Sequence, residues 1–246
     1  MLTLISDYII NALPIQQEHF DLSANEFRDA LCLRYLKPLL NTPTNCDGCN
    51  APFTTSHALD CRRGGLVVQR HNEIRDFIFD ISSMVWSQTI KEPMVDESSS
   101  SDSLRADVAI RGVWQPQGMC LFDVRVIDSD APSYLDRSPE QILKTAEREK
   151  KAKYSEHCER RHVSFSPLCT TVDGLIGPEM SIFLKRLADR LALKWDRRYS
   201  TTLNWLRTKL SFALIRSTNL CIRGTRTKWR GLSFEDGLGL NDYFLN

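Results

Sequence analysis

The 246 residues contain no internal repeat, almost no net charge, and no regular spacing among five of their eight cysteines. Cys32, Cys120, Cys158, Cys169 and Cys221 are scattered, which excludes a disulfide framework and points to a reducing compartment. The opening MLTLISDYIINALP is apolar, yet it lacks a basic leader, carries Asp7 and meets Pro14 too soon to span a bilayer. An intracellular protein with no membrane segment is therefore expected. A hydrophobic content of 42% excludes a disordered chain, and the length suits one larger domain or one domain with a small appendage. The net charge of +1 hides an uneven distribution, because Lys185 to Arg230 holds thirteen Lys/Arg against two Asp. A basic C-terminal third fits a polyanionic partner, nucleic acid first, although well-solvated helix faces carry the same bias.

Hydrophobic periodicity gives the order of elements. Residues 1–40 hold two helix-like stretches, the second from Ser23 to Leu40 with Phe27, Ala30, Leu31 and Tyr35 near one face. After Gly64 and Gly65, the residues Ile74, Phe77, Ile78, Ile81 and Val85 mark one buried stripe on a long helix. A short apolar stretch, Thr89 to Val95, leads into the solvated loop DESSSSDS. Arg105 to Arg111 alternates, with Ala106, Val108 and Ile110 opposite Asp107. Met119 to Val126 alternates too, with Cys120, Phe122, Val124 and Val126 opposite Leu121, Asp123 and Arg125. GVWQPQG joins the two as a hairpin. Ser138, Pro139 and Gln141 form a capping box that starts a helix running to about Cys158. His162 to Val172 reads as a strand. Two further amphipathic helices pass through Phe183, Leu187 and Leu191, and through Leu206, Leu210, Ala213 and Leu214. The expected class is α/β (α+β), ordered helix, three strands, helix, strand, then a helical extension. The expected divisions are residues 1–63, 64–176 and 177–246.

Two constellations carry chemistry. Cys46-x2-Cys49-x7-His57-x3-Cys61 offers four N/S ligands within sixteen residues, a pattern that suits tetrahedral Zn2+. Four protein ligands leave no open coordination position, so this zinc would be structural; the plainer reading is buried free cysteines beside an incidental histidine. The second constellation is Asp107 with Asp123, acids on otherwise apolar strands. If the strands pair, both carboxylates can converge on one hard cation, Mg2+ or Mn2+; two solvent-facing acids are the alternative. On the helix from Pro139, Lys150 and Lys153 share a stripe with Leu143, Ala146 and Tyr154, while Lys151 points elsewhere. A buried ammonium needs a partner, and a carboxylate site beneath the helix would supply it, unless both lysines snorkel outward. Arg125 shares the face of Asp123. Glu73, on the flank of the first long helix, could reach the same place, and His71 reads equally as packing, capping or function.

These segments resemble a known family. The Cys-Cys-His-Cys knuckle, CRRGGLVVQRHNEIRD, RADVAI, FDVRV, REKKAKY and, further on, SFSPL, FLKRLA and LSFALIRSTNLCIRG are similar to the restriction-like endonuclease domain, of PD-(D/E)xK type, that follows the reverse transcriptase of site-specific non-LTR retrotransposons. The likeness runs from about Leu13 to Gly224. It implies a restriction-endonuclease-like core and a metal-dependent phosphodiesterase that nicks target DNA, with retroelement RNA as a further partner and a nuclear setting. It also implies roles: Asp107 and Asp123 as metal ligands, Glu73 as the helix-borne acid, and Lys150 or Lys153 as the lysine moved onto the following helix. Ala106 stands where the motif has proline. Arg125 stands where many relatives have lysine, and arginine keeps its charge without serving as a base. No polymerase motif accompanies these segments, so the chain reads as a truncated or standalone copy. The competing readings are a catalytically inert, zinc-containing DNA-binding module and a structural protein.

Overall fold

The computed structural model describes Ala12, residues 15–95 and residues 104–227. The DESSSSDS loop and most of the first helix-like stretch lie outside these residues. Six α-helices and a four-stranded mixed sheet make up the described chain: α1 (Ala24–Arg34), α2 (Thr55–Asp60), α3 (Leu66–Ser83), β1 (Thr89–Lys91), β2 (Val108–Arg111), β3 (Met119–Ile127), α4 (Pro139–Arg161), β4 (Ser164–Thr171), α5 (Pro178–Trp195) and α6 (Tyr199–Arg223). The mixed α/β class and the order from α3 onward are those read from the pattern.

The strands lie in sequence order. β1–β2 and β2–β3 are antiparallel, and β4 returns parallel to β3 through the crossover helix α4. β3 is central, and six of its nine residues are buried. Alternation along it feeds two layers. Cys120, Phe122 and Val124 join Val108, Ile110 and Leu168 in the main core, under Ile74 and Ile78 of α3, Phe183 and Leu187 of α5, and Leu206 and Leu210 of α6. Phe122 and Phe183 meet at 4.9 Å between ring centres. On the opposite face α4 lays Ile142, Leu143 and Ala146 against Ile127 and Cys169, and Tyr154 and Cys158 against Ala109 and Leu121. Each fully buried side chain of this size contributes about 1.5–3 kcal/mol, so the two apolar layers hold the sheet between helices.

Three local outcomes differ from the pattern. α1 ends at Arg34 rather than near Leu40, because Leu36 takes a positive φ of 50° and Pro38 follows. Phe27 and Tyr35, expected on the inner face of α1, are exposed, and the buried residue of that helix is Asp29. Ala106 packs with the α4 layer rather than with Val108 and Ile110, since β2 begins only at Val108.

α6 is the common support, packing against α1, α2, α3 and α5. Its cations also answer the uneven charge of the sequence. Lys209, Arg216 and Arg223, spaced by two helical turns, pair with Glu18, Asp21 and Asp29, and Arg226 pairs with Asp47. Four of the thirteen basic residues of that stretch thus meet N-terminal acids of the same chain. The Asp29 pair is the most buried carboxylate contact of this row. Arg223 grips both its oxygens, Nε to Oδ2 at 2.6 Å and Nη2 to Oδ1 at 2.9 Å, and Asn219 adds a third hydrogen bond.

Burial raises the Asp29 carboxyl, but Arg223 outweighs it and holds the group below its ordinary value of 3.8. A lowered native pKa means that this contribution is complete above about pH 4 and disappears as pH falls through the native value. Asp29→Ala should therefore lower stability at pH 7 by about 3 kcal/mol, because Arg223 loses its counter-charge and keeps only the Leu40 and Asn41 carbonyls. The same variant should lose less stability than the native chain between pH 5 and pH 3, as chemical denaturation across that range would report.

Candidate active site and metal centre

The relation between Asp107 and Asp123 is set by strand register. Val108 faces Phe122, and the Asp107 N–H still donates to the Phe122 carbonyl at 3.0 Å, so the two aspartates lie side by side at the end of the β2–β3 ladder. There the strands part. The Ala106 N–H turns to the Pro93 carbonyl, and Arg105 bridges to Met94. The Val124 N–H, left without a β2 carbonyl, donates to Asp107 Oδ2 at 2.6 Å. Asp107 Oδ1 meets His71 Nε2 of α3 at 2.9 Å.

Asp123 is 6% exposed and faces α4. Its Oδ1 accepts from the Tyr154 hydroxyl at 2.7 Å, while Oδ2 has no donor in hydrogen-bonding geometry and is met by the Lys150 ammonium as an ion pair. Tyr154 also reaches the Arg105 carbonyl at 2.6 Å and stacks on Phe165, which ties the approach to β2 to α4. Burial and the Asp123 charge push the Tyr154 hydroxyl far above its ordinary range, so it serves as a donor.

α4 brings Lys150 into place. Its capping box fixes the start, Ala146 packs one turn before Lys150, and between them Glu147 accepts from the Glu179 N–H at 3.0 Å, at the first turn of α5. Gly177 permits this approach, because a Cβ there would collide with Glu147 Oε1. Burial pushes the Glu147 carboxyl up.

The other expected site residues separate. Lys153 is exposed and lies over the Tyr154 ring at 5.6 Å. Lys151 is exposed and pairs with Glu179. Glu73 is exposed and sits two residues past His71, hence about 200° around α3 from the side chain that holds Asp107. Arg125 donates to Glu149 Oε2 at 2.7 Å; burial opposes its charge, and Glu149 more than restores it. Arg125 lines a cleft of about 350 Å³ with Val124 and Val126 of β3, Val67, Arg70 and His71 of α3, and Lys150. His71 and Lys150, the partners of Asp107 and Asp123, thus form part of its wall. Tyr154 stood on the expected inner stripe without an assigned role, whereas no periodicity singled out Arg70.

The Cys-Cys-His-Cys cluster closes as one group. The four ligand atoms lie within 4.8 Å of one another. Cys46 and Cys61 sulfurs are 3.8 Å apart, Cys49 and Cys61 sulfurs 3.9 Å, and Cys49 Sγ is 3.3 Å from His57 Nε2. A tetrahedron with metal–sulfur bonds of about 2.3 Å requires sulfurs about 3.8 Å apart, so the donor set fits a metal such as zinc. Burial pushes the Cys46 thiol up, but the N–H groups of Gly48 and Cys49 and the His57 ring bring it down to about 6, favouring the ligating thiolate. The clip is fastened to the end of α6. Arg226, 5% exposed, donates to the Ala58 carbonyl at 3.0 Å, and its N–H reaches Asp47 Oδ2 at 2.6 Å. Gly64, at φ 74°, accommodates it, since a Cβ there would lie 2.5 Å from Arg226 Cα.

No protein-family model matches the chain, and no curated protein is similar to it, so the resemblance rests on the quoted motifs.

Cys49→Ser removes one ligand of four, and metal binding is coupled to folding. The variant should lose its bound metal and melt about 5 °C or more below the native chain. Elemental analysis beside thermal unfolding checks this, and a variant that keeps both metal and melting temperature would refute the metal centre.

Proposed function

We propose that the chain is a metal-dependent DNA endonuclease of the restriction-like type that its motifs resemble. The observation that carries the reading is that Asp107 and Asp123 stand at the same end of the β2–β3 ladder, with Lys150 paired to Asp123, beside a cleft walled by Arg70, His71, Arg125 and Lys150. The two carboxylates are hard oxygen donors at the end of the β2–β3 ladder, and a divalent cation that displaced the Lys150 ammonium from Asp123 Oδ2 would fit the pair. Mg2+ or Mn2+ there would polarise a phosphoryl oxygen and supply a reactive water.

The chain's own groups account for the rest. Asp107 and Asp123 would hold the cation, and the Val124 N–H and Tyr154 hydroxyl fix their orientation. Lys150 offsets the Asp123 charge in the free protein and stands where it can donate to a phosphate oxygen whose charge grows in the transition state. Arg125 adds fixed positive charge and cannot take a proton. Zinc in the cysteine clip would be structural, holding α2 and the start of α3 against α6. The reading also carries a nuclear setting and retroelement RNA as a second partner. Among the described residues no helix is long and apolar enough to cross a membrane.

One observation favours a second reading, a DNA-binding module without catalysis. All four oxygens of the acid pair already meet protein groups: His71, the Val124 N–H, Tyr154 and Lys150.

Supercoiled plasmid with Mg2+ or Mn2+ separates the two. Nicking should be abolished by Asp107→Asn and by Asp123→Asn, and slowed about 100-fold by Lys150→Ala. DNA affinity without added Mg2+ or Mn2+ should change little in the two asparagine variants. Equal nicking by native chain and variants would sink the endonuclease assignment, and DNA binding without nicking by any form selects the module.

A further inference from the structure

Arg70 is charged and 4% exposed, yet its Nε and Nη1 have no hydrogen-bond partner. A buried guanidinium without counter-hydrogen bonds is costly. Asp60 and Asp128 act on Arg70 through their fields, and Cys221 accepts a weak bond from it. Asp128 Oδ2, also buried, has no partner either, so the two charges have not been brought together. Two buried, unpartnered donors on a cation at the wall of a cleft suit an anion, and the other polar groups lining that cleft are His71, Arg125 and Lys150. No carboxylate is among its lining residues.

We propose that Arg70 is the floor of a phosphate subsite, donating from Nε and Nη1 to an oxygen of the nucleic-acid backbone as it passes between α3 and the parted end of β3. The position follows from the cleft. Arg70 lines it together with His71, which holds Asp107, and Lys150, which holds Asp123, so a phosphate on Arg70 would adjoin the acid pair. Arginine suits the role because its charge is permanent and its several donors have fixed directions. The proposal rests on the nucleic-acid reading above and adds the group that would register the backbone against the aspartates.

The test uses the full chain and does not read cleavage. The Arg70 Nε–H resonance should shift and saturate on titration with inorganic phosphate, against chloride at equal ionic strength. Arg70→Met should weaken binding of a short DNA duplex about tenfold without added Mg2+ and lower the slope of log affinity against log salt by about one. A native resonance indifferent to phosphate would overturn the subsite even if Arg70→Met failed to fold. A phosphate response with unchanged duplex affinity in the variant would show a site for free phosphate and overturn the assignment to nucleic acid. A chain that passes both tests but never nicks plasmid keeps the subsite and loses the endonuclease reading; nicking with Arg70 silent does the reverse.

Discussion

Two carboxylates side by side at the end of a strand ladder repel each other, and the surroundings of Asp107 and Asp123 are arranged to answer that repulsion. Every neighbouring element contributes. The parted strand gives the Val124 N–H, α3 gives His71, and α4 gives Lys150 and Tyr154. The strand separation that produces the cleft is the same event that frees Val124 for Asp107, so the acid site and the opening beside it have one origin. The contacts of Asp107 with His71 and the Val124 N–H depend on the register of β2 against β3, and those of Asp123 on the packing of α4 against β3.

The helices are fixed so that these contributions arrive together. Glu147 holds α4 to the first turn of α5, one turn before Lys150 meets Asp123. α3, which carries Arg70 and His71, is pressed on α6, and α6 is pinned to the N-terminal segment by its row of cations. The partly exposed pairs of that row add little individually. The Asp29–Arg223 pair and the Arg226 tie to the cysteine clip carry more weight, because each holds a buried charged group by several hydrogen bonds at once. The cysteine and histidine clip therefore lies in the same framework as the acid pair, connected to it through α6 and the start of α3.

Charge has two destinations in this fold. In the C-terminal third, Lys209, Arg216, Arg223 and Arg226 meet acids of the same chain, whereas Arg70 in the cleft lacks hydrogen-bond partners for two of its nitrogens. A basic tally over sequence cannot separate these cases. A polyanion finds donors where a cation's nitrogens are not already engaged, and Arg70 in the cleft is such a group.

The sequence by itself determined the class, the element order from α3 onward, and the cysteine and histidine clip. These follow from local rules: helix and strand periodicity, the Ser138–Gln141 capping box, and ligands only a few residues apart. Only the tertiary structure decided which lysine meets Asp123, since Lys150 and Lys153 are one turn apart and packing of α4 on the sheet separates them. It likewise turned Phe27 outward and Asp29 inward, because Arg223 lies 194 residues away and no local pattern reports it. His71 and Arg70 acquired their positions when α3 was laid across the parted strands, a contact between segments with no shared periodicity. Local chemistry specified the parts, and the packing that brought them together depended on contacts between segments far apart in sequence, which exist only after folding.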